Sequence, residues 1–469
     1  MKNRFPRIII AGTHSGVGKT TVAIGLMSAL VQRGYIVQPF KVGPDYIDPT
    51  YHTHVTGRAS RNLDTWMMGK ASVLKSFLNA APSADISVIE GVMGLYDGFS
   101  GNDERGSTAH LAKLLGTPVL LVVDGHSMAR SAGALVLGYK DFDPKVSIRG
   151  VIVNNIASPR HLEYVKESIE KYAHVKVIGY LFRDKGICLK ERHLGLIPEH
   201  EIRGEQERYE SIRQMIEKNV DIDEVIRIAN KAKSIPSRGG FPLPHPLVGG
   251  KEVTPNITIG VARDKAFSFY YQDNLDLLEY SGARLIYFSP LSDHSLPDGL
   301  DLIYIGGGFP EVFAKELSVN KGMLRDIKKF GEKGGPIYAE CGGLMYLCEG
   351  IRTFKGKLYN MVGLVPRVAV MNNRRVALGY VRIKALKDNL LMDKGRLLKG
   401  HEFHWSSLEG EKKVDYAYTI SKGKGAGNHK DGIMVHNILA SYAHIHFRQN
   451  PAVCRHLIDA IGRIKNAEG

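Results

Sequence analysis

Apolar runs alternate with helical patterns along most of this chain. Ile8 to Ile10 read as a strand buried on both faces, Gly12, Gly16 and Gly18 impose a tight turn, and a helical pattern begins at Lys19. The same rhythm returns with apolar runs at Val37–Val42, Ile86–Ile89, Val119–Val123, Gly150–Val153 and Val175–Tyr180, and with helical segments such as His161–Tyr172. Uninterrupted apolar strands separated by helices predict a parallel, doubly wound sheet. The rhythm stops at 235–256, IPSRGGFPLPHPLVGGKEVTPN, which is dense in proline and glycine and reads as a linker. It restarts at Ile257 with ITIGVARD, a helix around Tyr270–Tyr280, then ARLIYFSP, LDLIYIGGGFPE and a strand over Ile337–Ala339. The expected architecture is α/β throughout, with domains over 1–234 and 257–469 and no internal repeat.

Composition narrows the class. With 469 residues, 43% hydrophobic and 24% charged, the chain has the profile of a soluble globular protein. Sixty-three basic against 48 acidic side chains leave a net charge of +15. No dense Lys/Arg block or interleaved aromatic array accompanies that excess, so it points to anionic small molecules before nucleic acid. The four cysteines, Cys188, Cys341, Cys348 and Cys454, form no C-x-x-C pair, which argues against a disulfide framework or zinc site and fits a reducing cytoplasm. No apolar run approaches the ~18 residues of a membrane span, and the first strand begins too early to leave room for a signal peptide. The expectation is a cytoplasmic protein without a membrane or nucleic-acid partner.

The stretch RIIIAGTHSGVGKTT carries the first chemistry. A glycine loop between a buried strand and a helix turns backbone N–H groups towards phosphate oxygens, the lysine reaches the terminal phosphates, and the following hydroxyl can sit on magnesium. Gly16, Gly18, Lys19, Thr20 and Thr21 are therefore the candidate ATP-binding residues of a P-loop domain. Thr13 stands where the motif has its first glycine, and Gly12 lies one residue early. The loop GPDYIDPTYH follows the second strand and Glu90 ends the third within EGVMGLYDG, so both should open at the same carboxyl edge as Lys19 and Thr20. Magnesium on nucleotide phosphates needs the Thr20 hydroxyl and one or two carboxylates. Asp45 and Glu90 are assigned to it, and Tyr46, Asp48 and Asp97 to substrate. Asn154 and Asn155 end a further strand, and Asn155 is the candidate for reading an adenine edge.

The second half carries a different chemistry. In AECGGLMYL, Cys341 stands between a strand and a helix, where a sharp turn exposes a sulfur and the helix N-terminus favours its thiolate. The other three cysteines read as small buried hydrophobes. SYAHIHF places His444 and His446 after a short strand, alternation sends both to one face, and one of them is the expected base. The turn Gly306–Gly308, with Gly307 and Gly308 foremost, offers N–H groups to an oxyanion.

Taken together, GTHSGVGKT, KVGPDYIDPTYH, SRNLDTWM, EGVMGLYDG, GGGFPE, AECGGLMYL, GHEFHWS and SYAHIHF resemble the cobyrinic acid a,c-diamide synthases over nearly the whole chain. The resemblance implies an amino-terminal ATPase domain similar to dethiobiotin synthetase and a carboxy-terminal class I-like glutamine amidotransferase domain. It also implies the reaction: ATP and glutamine amidate the a and c acetate side chains of a corrinoid, through acyl phosphates. Cys341 matches the nucleophile, and His444, in the Y-x-H of Tyr442–His444, matches the activating histidine. Ordinary class I amidotransferases carry a carboxylate two residues after that histidine, where this chain has His446, so the group that orients His444 is not identified by motif.

Three rivals are weighed against this reading. A partition-type P-loop ATPase usually has a lysine where this chain has His14, and it leaves Cys341 unexplained. A pure glutamine hydrolase leaves Lys19 and Glu90 idle. Another tetrapyrrole, nickel sirohydrochlorin or hydrogenobyrinic acid, would take the same two amides. Ammonia must travel unprotonated between the sites, which argues for a shielded route, and a homodimer is kept open as the assembly.

Overall fold

Period-two alternation sorts the first strand's isoleucines. In β1 (Arg7–Gly12), Ile9 packs into the cluster of Phe40, Ile89 and Leu121, while Ile8 and Ile10 pack on the opposite face against Val22, Leu26 and Val88. Every residue of β1 is buried, the mark of a central parallel strand. The computed structural model describes residues 4–183, 206–235 and 257–468, together with two-residue strands at 191–192, 195–196, 247–248 and 251–252. The stretch read as a linker lies outside the described residues apart from Ile235 and two of those short strands, and Cys188 also lies outside them. The chain divides into two compact units, Met1–Leu243 and Pro244–Gly469.

The first unit is a seven-stranded parallel sheet in the order β3-β2-β4-β1-β5-β6-β7. Its remaining strands are β2 (Val37–Val42), β3 (Arg61–Leu63), β4 (Ile86–Glu90), β5 (Val119–Asp124), β6 (Ile148–Ile156) and β7 (Val177–Phe182). The expected strands are all present; the short edge strand β3 is an addition. The segment read as one helix over His161–Tyr172 is an α-helix at Pro159–Ser168 that widens into a π-turn at Ile169–Ala173. Because β4 lies between β1 and β2, the glycine loop, the loop after Val42 and Glu90 all open on one carboxyl edge.

The second unit is built on a ten-stranded sheet. Half of it is parallel: Ala283–Phe288, Ile257–Ala262, Leu302–Ile305, Ile337–Glu340 and Ile438–Ser441 lie side by side. The other half is antiparallel, through Lys430–Val435, Asp415–Lys422, Ala377–Ala385, Leu397–His404 and His444–Ile445. A further four-stranded sheet packs Cys348–Arg352 with Leu358–Asn360, Val365–Met371 and Ser406–Glu409. The antiparallel half was not anticipated, although the alternation of buried and exposed positions along Ala377–Ala385 is the pattern of a half-buried strand. Strand Ile438–Ser441 runs parallel to Ile337–Glu340 with Glu340 opposite Ser441, which carries the following residues, His444 included, to the side of Cys341.

One buried cation ties the first unit together. Arg7 donates to the carbonyl oxygens of Phe5, Leu115 and Lys233 and, at 3.1 Å, to the Thr117 hydroxyl, and burial pulls its guanidinium down to about 10. Arg7→Met would leave those carbonyls without their donor, and we expect it to destabilise this unit by about 3 kcal/mol. The urea midpoint of the full chain, followed by a probe in residues 1–234, checks this; a midpoint equal to wild type would make the arginine dispensable.

Candidate functional sites

Each unit gathers a polar cluster at a strand-to-helix turn. In the first, the helix Lys19–Gln32 starts directly after the glycine loop, and Gly16 and Gly18 take positive φ values of 81° and 100°. A β-carbon at Gly18 would lie 2.4 Å from the Asn154 amide nitrogen, and one at Gly12 would lie 2.4 Å from Val17 and 2.9 Å from Lys19. The early glycine is thus required by the fit of the loop over its own lysine. Lys19 Nζ donates to the His14 carbonyl at 2.9 Å. Burial and the nearby Lys41 pull its ammonium down to about 8.

Behind the loop lies a buried charge network that the sequence reading only partly foresaw. Thr20 donates to Glu90 Oε1 at 2.7 Å, so two of the three residues assigned to magnesium meet. Glu90, fully buried, also accepts from Lys41 at 2.8 Å and pairs with His52 at 2.6 Å. Burial alone would raise its carboxyl, yet Lys41 and His52 hold it well below the usual carboxylate range. Lys41 also binds Asp48 and the Gly91 carbonyl. Its ammonium stays above the ordinary lysine range because Asp48 and Glu90 outweigh the cost of burial. Burial together with Asp45 and Glu90 pushes the Asp48 carboxyl up, against the pull of Lys41. The sequence reading does not single out Lys41 or His52, although a lysine within strand Val37–Val42 was the available signal.

The remaining carboxylates are placed differently from one another. Asp45 Oδ1 accepts the N–H groups of Ile47 at 2.7 Å and Asp48 at 3.2 Å, which shapes the entry to helix Asp48–Thr56. Asn62, in the SRNLDTWM stretch, donates to the carbonyls of Gly43 and Asp45 and pins that loop. Tyr46 is half-buried beside it. Asp97 is exposed, accepts the Gly94 N–H at 2.9 Å, and is close enough to favour the charge on Lys19. Asn155 has φ 58° and donates to Asp124 Oδ1 at 2.9 Å, while its neighbour Asn154 donates to the Val17 carbonyl in the glycine loop. Thr21 falls in the first turn of the loop's helix.

In the second unit Cys341 follows strand Ile337–Glu340 and precedes helix Gly342–Leu347, with φ 48° and ψ −99°. A non-glycine residue there is strained, as at other strand-turn-helix elbows that present a nucleophile. The turn closes because glycines let backbones touch: a β-carbon at Gly342 would lie 2.9 Å from the Gly308 nitrogen, and one at Gly343 would lie 2.3 Å from the Ile305 carbonyl. The thiol does not behave as the helix N-terminus suggested. Burial pushes it up, Glu311 adds to that, and the single N–H of Gly342 pulls the other way. A six-residue helix cannot offset full desolvation.

The oxyanion turn and the two histidines are each placed by contacts with distant segments. The Gly306 N–H is taken by the Tyr270 hydroxyl at 2.7 Å, and Gly307 and Gly308 pair antiparallel with Phe269 and Phe267. Gly308, against Gly342, is the member of the turn nearest the elbow. The Gly342 N–H itself was not considered. His444 and His446 do not share a face environment: His444 Nδ1 lies 3.4 Å from Glu340, and its Cε1 would sit 2.6 Å from a β-carbon at Gly307. His446 packs its ring on Tyr271 at 4.6 Å and lies 3.9 Å from Asp273. Cys348 and Cys454 are buried free thiols, as expected of them.

A nucleotide loop in one unit, and in the other a thiol elbow packed on a glycine turn that also meets a buried histidine, are the parts of a glutamine amidotransferase joined to a P-loop domain. Residues 8–196 match the CobQ/CobB/MinD/ParA nucleotide binding domain, and residues 258–452 match the CobB/CobQ-like glutamine amidotransferase domain. The cobyrinate a,c-diamide synthase of Dehalococcoides mccartyi strain 195 is 46% identical over 97% of this chain and 98% of its own. Those of Methanosarcina acetivorans (45%, over 98% and 96%) and Listeria innocua (44%, over 97% and 99%) are similarly close. The chain belongs to the cobyrinate a,c-diamide synthase family.

Lys41 is the keystone of the first cluster. Lys41→Met strands two buried carboxylates, and we expect it to cost about 3–5 kcal/mol near neutral pH. Without the cation Asp48, pushed up by burial, Asp45 and Glu90, loses the pull that opposed them, so the native state binds more protons and the deficit shrinks as pH falls from about 8 to 5. Urea titrations across that range check both parts; a deficit independent of pH would mean that Lys41 acts through packing alone.

Proposed function

We propose a division of labour within this glutamine-hydrolysing ligase. The family's reaction is the ATP- and glutamine-dependent amidation of the a and c carboxylates of cobyrinate. In the second unit the Cys341 thiol gives its proton to His444 as sulfur attacks the glutamine amide carbon. N–H groups of Gly308 and Gly342 take the oxyanion. The C–N bond breaks as His444 returns the proton, ammonia leaves, and water then attacks the thioester to release glutamate. The raised thiol favours this order, with His444 as a base acting once substrate is bound, over a resting thiolate–imidazolium pair.

In the first unit a corrinoid carboxylate oxygen attacks the γ-phosphorus of ATP and ADP leaves. Carboxylates do not react with ammonia because oxide is a hopeless leaving group; the acyl phosphate replaces it with phosphate. Lys19 neutralises charge on the transferring phosphoryl. Magnesium fits beside Thr20 and Glu90, a hydroxyl and a carboxylate 2.7 Å apart, and when bound with ATP it supplies neutralisation of phosphate charge. Asp45 is the other carboxylate of the magnesium assignment, with Oδ1 engaged by two backbone amides. Asp48, Tyr46 and Asp97 remain the candidates for the corrinoid edge, and Asn155 for adenine. Three free thiols among the described residues support a reducing, cytoplasmic setting. No helix among the described residues is long and apolar enough to cross a membrane.

The observation that carries this reading is identity of 46% with a cobyrinate a,c-diamide synthase across 97% of the chain. Offering cobyrinate, hydrogenobyrinate or nickel sirohydrochlorin to the purified protein with ATP and glutamine, and following mass gain, tests the substrate; two amides on cobyrinate are expected. Cys341→Ala should lower the glutamine-dependent rate by more than about a thousandfold while added ammonia still supports amidation. Loss of both activities in a folded, ATP-binding variant would refute the two-site scheme. Lys19→Ala should stop amidation from either nitrogen source while glutaminase activity persists, and an unchanged ammonia-dependent rate would remove the P-loop from the chemistry.

A further inference from the structure

The group that orients His444 is absent from its usual place two residues downstream, where His446 turns to Tyr271 and Asp273. The geometry points to Glu340, the residue immediately before the nucleophile, as the carboxylate that holds His444. Glu340 Oε2 lies 3.4 Å from His444 Nδ1, and both side chains are about 98% buried or more, with relative exposures of 1% and 2%. This inference rests on reading Cys341 and His444 as nucleophile and base.

Glu340 has the attributes of a positioning group. Its Oε1 accepts the Tyr338 hydroxyl and the Ile445 N–H at 3.1 Å, and its Oε2 accepts the Tyr304 hydroxyl at 3.4 Å. The bond from Ile445 matters because it anchors the backbone one residue beyond His444, so a single carboxylate fixes both the ring and the strand that carries it. A buried carboxylate surrounded by donors is held in one rotamer and retained as an acceptor. With Nδ1 turned to Glu340, Cε1 and Nε2 lie towards the glycine turn, 2.6 and 3.4 Å from where a β-carbon at Gly307 would project. As His444 takes the thiol proton, Glu340 stabilises the imidazolium, the role that a carboxylate plays in other nucleophile–histidine systems.

Placement in the fold makes this economical. Register pairs Glu340 with Ser441, so the last residue of the nucleophile's strand and the residues leading to His444 are neighbours in the same sheet. The carboxylate reaches the ring from beside the thiol's own strand, whereas one two residues downstream would belong to the histidine's own segment. Titratable groups beside this pair include Tyr304 and Tyr338, which donate to Glu340 from the parallel strands, and His401, opposite His444 on strand Leu397–His404. His401 is pulled down to about 3 by burial and by His444 and so is neutral.

Glu340→Gln and Glu340→Asp, in the full-length protein, test the assignment. Glutamine-dependent kcat should fall about a hundredfold or more in the Gln variant, with KM for glutamine within about twofold of wild type. The acid limb of its kcat/KM profile should move to lower pH, because the imidazolium has lost its counter-charge. Ammonia-dependent amidation should be unchanged, and the Asp variant should recover part of the rate and return the limb towards wild type. A Gln variant within about threefold of wild-type kcat, or an unshifted limb in both variants, overturns the assignment. Should the Gln variant lose ammonia-dependent activity through misfolding, the Asp variant decides: a wild-type rate and profile there also overturns it. His444→Asn separates the two layers, since wild-type glutaminase in that variant refutes the underlying reading of the base, whereas its loss beside an unaffected Glu340→Gln refutes only this proposal.

Discussion

Close packing against glycines sets both sites. At the glycine loop, side chains of Val17, Lys19 and Asn154 occupy the space where β-carbons of Gly12 and Gly18 would project. At the elbow, the Gly308 nitrogen and the Ile305 carbonyl do the same against Gly342 and Gly343. Both turns end a buried parallel strand, and both bring main-chain N–H groups to a point where charge is to be received. Parallel sheets supply such points at their carboxyl edges because every strand there delivers its loop to the same side. Substituting a larger residue at Gly343 would have to move the backbone of strand Leu302–Ile305.

Around those turns the two units handle buried charge in different ways. The first balances it internally: Lys41 meets Asp48 and Glu90, and Glu90 meets His52 and Thr20. Such a network is costly to desolvate and still more costly to break on one side, so its members hold one another in place. Lys19 stands at its margin, lowered by burial and by Lys41, and so is poised to gain from an arriving polyphosphate. Around its elbow the second unit holds carboxylates by hydrogen bonds instead. Glu340 is surrounded by tyrosine hydroxyls and a backbone amide, and Asp431 accepts the N–H groups of Tyr442 and Ala443 on the approach to His444. That difference matches the chemistry proposed: phosphoryl transfer needs fixed positive charge, whereas thiol attack needs a proton acceptor whose charge appears only during the reaction.

Much of this was legible in order along the chain. Ile8–Ile10 followed by GVGKTT dictated strand, loop and helix because apolar periodicity and glycine conformation act within a few residues. AECGG dictated an elbow for the same reason, and the strands around both motifs fell where the apolar runs placed them. The misjudged or missed details depend on contacts between distant segments. Nothing local distinguishes Asp45, which shapes a turn, from Asp48, which meets Lys41 across a buried gap. Period-two alternation put His444 and His446 on one face, yet the chain leaves the strand after Ile445 and takes His446 to Tyr271. Burial, a property of the whole fold, reversed the expected ease of ionising Cys341.

What the sequence alone determined was therefore the set of reactive groups and the turns that present them: Lys19 and Thr20 on a glycine loop, Cys341 on an elbow, and two α/β units to carry them. Tertiary structure alone decided which groups meet. It joined Lys41 to Glu90 through the adjacency of two strands, and Glu340 to His444 across 104 positions, because Ile337–Glu340 and Ile438–Ser441 are neighbours in one sheet. Periodicity and turn chemistry specify how a segment folds. The partner a buried charge finds depends on strand order, which no single segment encodes.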